Sequence, residues 1–149
     1  MYDYGLRKEV ENIPGIAGFT KAVQINYEQL NSFNNTRKST RDLLFKKIKA
    51  LGINIKINGP NDFEWRLPHN INIGFRGFKS EHIIDILSQE GIFVSSGSAF
   101  YSRYKAKSNV LKGIGCEGED LENAIRFSTS AFTTNDQIQY CVNSLSKLK

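Results

Sequence analysis

The segment Asn70-Ile71-Asn72-Ile73-Gly74-Phe75 alternates polar and apolar residues with a period of two. Successive side chains of a strand point to opposite faces, so such a run demands one dry face and one polar face. Ile53-Asn54-Ile55-Lys56-Ile57 repeats the pattern upstream. Downstream, Ala124-Ile125-Arg126-Phe127-Ser128 reads as a further strand with a charge set among apolar neighbours. Around these runs the apolar spacing changes to that of helices. Pro14 suits a first helical turn, where its missing N–H is not needed. Ile16, Phe19, Val23, Tyr27, Leu30 and Phe33 then recur on one helical face. The polar residues 31–40 loosen the pattern, with Asn34-Asn35 as the expected kink or break. Leu43, Leu44, Ile48 and Leu51 resume it, and Gly52 ends it as a cap. All these apolar residues are expected in the core.

Asn58-Gly59-Pro60-Asn61-Asp62 is a turn or loop. Ser80 is the expected N-cap of a helix over residues 81–90 that stops at Gly91. Ile92-Phe93-Val94 is expected to be a short strand feeding the loop Ser95-Ser96-Gly97-Ser98-Ala99-Phe100. Residues 108–115 read as a short helix, and Gly118-Glu119-Asp120 as a turn. Thr134 with Gln137 forms a capping box. The helix behind it is expected to bury Ile138, Cys141, Val142, Leu145 and Leu148. This order predicts an α+β fold: a small, mainly antiparallel or mixed sheet covered by helices, with a long N-terminal helix and a C-terminal helix. A single domain is expected over residues 1–149.

Composition narrows the function classes. A chain of 149 residues can build one real core. No apolar run is long enough to span a membrane, so no membrane partner is expected. Met1-Tyr2-Asp3-Tyr4 does not open a signal peptide, and the cytoplasm is the default compartment. The net charge of +5 is mild and dispersed. Lys46-Lys47-Lys49 reads as a solvated helix face and Arg103-Lys105-Lys107 as a basic loop suited to an anionic ligand or partner. A nucleic-acid surface needs a denser basic stripe and is not expected.

Two cysteines make neither a disulfide framework nor a zinc site. Cys141 falls on an apolar helical face, where a thiol is buried and inert. Cys116 follows Gly115 in a loop, where exposure is expected, but no histidine or helix N-terminus is evident to activate it. His69 and His82 have no metal-ligand spacing, and no metal site is expected. No phosphate loop or dinucleotide fingerprint is present. Arg126 stands apart: a charge in an apolar strand needs a partner. One reading pairs it with Glu122 or Asp120. The other aims its guanidinium fork at a carboxylate.

Several segments, in order, resemble the small domain of cysteine desulfurases, pyridoxal-phosphate (PLP) enzymes of the class V aminotransferase group. They are Gly5-Leu6-Arg7 with residues 11–19, Leu67-Pro68-His69-Asn70-Ile71-Asn72-Ile73, residues 90–99, Asn109–Gly115, and Ile125-Arg126-Phe127-Ser128 with Phe132-Thr133-Thr134. The resemblance implies the small domain of a fold type I PLP enzyme. It places Arg126 at the arginine that grips the substrate's α-carboxylate. It places Ser95, Ser96, Gly97, Ser98 and Ala99 in the active-site loop, with Phe100 where the family carries its persulfide cysteine. It also places Val10, preceded by Glu9, where a threonine reaches the PLP phosphate. The family's PLP lysine, its pyridine-facing aspartate and its stacking histidine belong to a large domain that these residues do not match.

Taken together, the chain is expected to bind no cofactor alone and to be inactive alone as a desulfurase, with no catalytic residue of its own. A partner bearing the PLP domain would make it half of a split aminotransferase or lyase. The alternative is a non-catalytic module that docks on an intact desulfurase or an iron–sulfur scaffold protein, or pairs as a homodimer.

Overall fold

The computed structural model describes residues 10–96 and 108–148. The chain divides into two compact units, Met1–Phe33 and Asn34–Lys149.

The first unit is built on α1 (Ile13–Glu28). Asn12 caps it by accepting a hydrogen bond from the Gly15 N–H, and Pro14 lies in the first turn as expected. The helix ends at Gln29, and α2 (Leu30–Ala50) starts at the next residue. The expected break at Asn34-Asn35 does not occur, and the long N-terminal helix is two helices. Asparagine costs a helix well under about 1 kcal/mol. Asn34 also accepts from Arg37 Nη1 at 3.2 Å, one turn on, so α2 runs through the pair. The core expectation fails for α1, which has no buried residue. Ile16, Phe19, Val23, Tyr27 and Leu30 are all exposed, Phe19 by 72%. Helical spacing reports which residues share a face, not what covers that face.

The second unit is a three-stranded antiparallel sheet, β1 (Ile55–Asn58), β2 (Asn70–Phe75) and β3 (Ala124–Ser128), with β2 in the middle. Ile71, Ile73 and Phe75 of β2 and Ile125 and Phe127 of β3 supply the dry face. Ile83 and Leu87 of α3 (Ser80–Gln89) join this core, with Leu44 and Ile48 of α2. The closing helix, Asn135–Leu145, adds Ile138, Cys141, Val142 and Leu145, and Leu148 follows in a terminal 3-10 turn, as the sequence predicts. Thr134 and Gln137 make both bonds of the capping box. Gly52, at φ 74°, ends α2 in the left-handed region that glycine favours.

Two local expectations fail. Ser80 is the first residue of α3, not its cap; Lys79 holds the extended cap backbone. The Ser80 N–H already donates to the Glu122 carbonyl at 2.9 Å. Residues 92–94 are not a strand. The Ile92 N–H turns back to the Leu87 carbonyl at 2.9 Å and closes the end of α3, so it is not free for a ladder. Only Ser95 pairs, through an isolated antiparallel bridge to Arg126.

A short helix α4 (Asn109–Gly113), capped by Ser108, covers part of the other sheet face. There Leu111, Cys116 and Ala124 form a second small cluster with Leu121. Cys116 is therefore buried, not exposed in its loop. With the Asn135–Leu145 helix as α5, the order of regular elements is α1-α2-β1-β2-α3-α4-β3-α5. No helix among the described residues is long and apolar enough to cross a membrane.

Candidate functional site

The polar face of the sheet carries the candidate site. In register, Asn58 of β1 stands opposite Asn72 of β2, and Asn72 stands opposite Arg126 of β3. Ser95 continues the row on the far side of β3. The Arg126 N–H donates to the Ser95 carbonyl at 2.6 Å, and the Ser95 N–H returns a bond at 3.3 Å. Directly opposed residues of antiparallel strands project to the same side. Asn58, Asn72 and Arg126 thus form a polar row over a sheet whose other face is the core.

Above this row lies an open cleft of ≈ 680 Å³. Its polar lining among the described residues is Asn58, Arg66, Asn70, Asn72, Ser108 and Arg126, with no Asp or Glu among them. Trp65, Leu67, Val110 and Ile114 contribute apolar wall. Two guanidiniums with no facing carboxylate among the described residues make the cleft attractive to anions.

The wall around Arg66 is firmly held. Arg41, 1% exposed, donates from Nη1 to the Leu67 carbonyl at 3.0 Å and from Nε to Asp42 at 2.8 Å. Its guanidinium carbon lies 5.2 Å from the centre of the Phe63 ring, and that of Arg66 lies 5.5 Å from it. Arg66 Nη1 donates to the Asn58 carbonyl at 2.9 Å, which ties the loop to β1. Its Nε and Nη2 are buried without a hydrogen-bond partner among the described residues. Burial, and then the charge of Arg41, lower the Arg66 pKa below its ordinary value.

Arg126 makes no side-chain hydrogen bond or ion pair among the described residues, and it lines the cleft. The pairing with Asp120 or Glu122 is absent. Asp120 is taken by Lys56 and lies 4.0 Å from Arg76. The Asn72 amide is oriented from behind: Asn58 Nδ2 donates to Asn72 Oδ1 at 2.8 Å, and the Cys116 thiol donates to Asn58 Oδ1 at 3.5 Å. Asn58, Asn72 and Arg66 are site residues that the sequence pattern does not single out. Alternation puts Asn72 and Arg126 on polar faces, but only strand register makes them neighbours.

Of the other sequence-predicted residues, Ser95 and Ser96 are half-buried at the end of the α3 connection. Gly97, Ser98, Ala99 and Phe100 lie outside the described residues. Val10 is 88% exposed. No group of His, Cys, Asp and Glu able to hold a metal occurs among the described residues.

Comparison with known proteins agrees with this architecture. The aminotransferase class-V family profile matches residues 4–141. The chain belongs to that family. It is 35% identical to a cysteine desulfurase IscS of Clostridium botulinum, over 97% of this chain and 36% of the relative. A cysteine desulfurase of Nostoc is 33% identical over the same shares. Among solved structures, a NifS-like protein superposes with a TM-score of 0.80 at 26% identity, covering 97% of this chain and 35% of that one. A NifS-like protein of Rickettsia africae shares the fold at TM-score 0.79 and 24% identity, covering 96% of this chain and 36% of that one. The chain spans about a third of the length of these relatives.

Proposed function

We propose that these residues act as the carboxylate-gripping small domain of a cysteine desulfurase-like protein, and that the 149 residues alone do not desulfurate cysteine. The observation that carries the reading is Arg126: among the described residues its guanidinium has no partner and the cleft it lines has no acidic residue. Such a fork matches the two oxygens of an amino acid's carboxylate.

The family is PLP-dependent. Among the described residues, the cleft around Arg126 offers neither a lysine amine to form an imine with PLP nor a carboxylate to face a pyridine nitrogen. Val10, which the resemblance sets at the phosphate-contacting threonine, has no hydroxyl to donate. The described residues of this cleft therefore do not fit PLP by themselves. Arg126 binds and orients an amino acid; groups for the chemistry come from outside these 149 residues, in a continuous or a separate polypeptide. With Phe100 at the persulfide position there is no thiol to take sulfur, so with such a partner an aminotransferase or lyase reaction fits better than sulfur relay.

The test adds L-cysteine and PLP to the purified chain and reads sulfide. Neither the wild type nor Phe100→Cys is expected to release any. Sulfide from Phe100→Cys alone would overturn the reading, because it would require a complete PLP site within the chain.

A second reading, a docking module, is favoured by one observation: the apolar face of α1 is exposed over Ile16, Phe19, Val23 and Tyr27. The partners it implies are an intact desulfurase, an iron–sulfur scaffold protein or a second copy of the chain.

A further inference from the structure

We infer that Asn72 is a second ligand for the carboxylate held by Arg126, donating an amide N–H beside the guanidinium. This inference rests on the carboxylate reading of Arg126 given above. Asn72 and Arg126 are directly opposed in the β2–β3 ladder. Opposed Cβ atoms on one face lie about 4.5–5.5 Å apart, within the span of one carboxylate bound by both side chains.

The hydrogen bonds behind Asn72 decide which end of its amide faces the cleft. Asn58 is 3% exposed and Cys116 is 4% exposed, so neither has water as an alternative partner. A thiol is the donor toward an amide oxygen, which sets Oδ1 of Asn58 toward Cys116 and Nδ2 toward Asn72. Asn72 must then accept through Oδ1, at 2.8 Å. What remains is its NH2 group, which has no partner among the described residues, on a side chain that lines the cleft with Arg126.

An ionised carboxylate offers about four lone-pair sites. A guanidinium fork fills two of them, and the Asn72 NH2 is placed to fill a third. The pair selects an anion that can accept from two directions at once. It discriminates against an ester or amide, which lacks the charge and one of the acceptors.

The test uses the 149-residue chain labelled with nitrogen-15. L-alanine supplies the α-carboxylate without a reactive thiol, and its methyl ester is the uncharged control. The Arg126 Nε–H and the Asn72 Nδ2 resonances are followed by NMR. Both are expected to shift with L-alanine along one saturation curve, and neither with the ester. Asn72→Leu is expected to weaken binding about tenfold, as for a lost hydrogen bond to a charged group, while the β2 and β3 backbone amides keep their positions. If Arg126 shifts with L-alanine and Asn72 does not, the inference fails and the carboxylate reading stands. If neither shifts, both fail. The wild-type titration decides between these outcomes even if Asn72→Leu does not fold.

Discussion

Gly74→Ala tests how tightly the polar face of the sheet is packed behind the cleft. Gly74 lies in β2 opposite Lys56 and Ala124. A Cβ built there would sit 2.8 Å from Asn123 Oδ1, closer than real Cβ contacts allow, and 3.6 Å from the Lys56 carbonyl, which is ordinary contact. The end of an exposed asparagine could swing aside, but Asn123 is 1% exposed. Removing glycine's freedom in the unfolded chain favours alanine by about 0.4–1 kcal/mol. Overpacking a filled site costs about 1–3 kcal/mol. The clash wins, and the net loss is about 1–2 kcal/mol, or about 3–6 °C in Tm for a domain of this size. The partner change is Asn123→Ala. Both side-chain polar atoms of Asn123 are buried without a hydrogen bond, so their removal breaks none. In the double variant Gly74→Ala with Asn123→Ala, the Gly74 penalty should disappear, with a coupling of at least about 1 kcal/mol. Urea unfolding followed by circular dichroism measures all four proteins. Strict additivity, or a Gly74→Ala protein as stable as the wild type, refutes the packing argument.

Two further predictions concern ionisation in the second unit. Burial pushes the Cys141 thiol up from its ordinary 9.0 to about 11. The folded state then holds this proton more tightly than the unfolded state. Its contribution is complete below pH 9.0 and is lost as pH rises toward 11. Comparing wild type with Cys141→Ala in urea melts across that window should isolate a loss of order 2 kcal/mol; parallel pH profiles would contradict it. Glu90 accepts hydrogen bonds from Lys147 and Tyr140, which hold its carboxyl below the ordinary carboxylate range. Its stabilising effect is present above the ordinary pKa and fades as pH falls through the lowered one. By NMR titration, Lys147→Ala should raise the Glu90 midpoint, and an unmoved midpoint would show that the ion pair does not form in solution.

What is legible in the sequence is what local chemistry decides. β2 and β3 fall at the expected residues because alternation is a property of neighbours in the chain, and the Thr134–Gln137 box spans a single turn. Arg126 is legible as a charge out of pattern. Its surroundings are not. Cys116 reaches Asn58 across 58 residues, and Arg41 reaches Leu67 across 26. No spacing rule links such pairs before the strands are in register. The apolar period of α1 is equally visible in the sequence, yet it does not say that the face stays uncovered in this chain. Ile92 shows the reverse error: its apolar run suggests a strand, but its amide is claimed by the end of α3.

The interleaving of core and cleft along β2 and β3 has a consequence for how this domain can vary. Ile71, Asn72 and Ile73, like Ile125, Arg126 and Phe127, alternate between the two sides of one sheet. Inserting or deleting a single residue in either strand would exchange the two sets, burying a guanidinium or an amide where isoleucine belongs. Unless a bulge absorbs it locally, an indel is therefore expected in the connections between strands rather than within them. Loss of the cleft-lining arginine by a shift in register would be removed by misfolding before any selection on a function of the cleft could act on it.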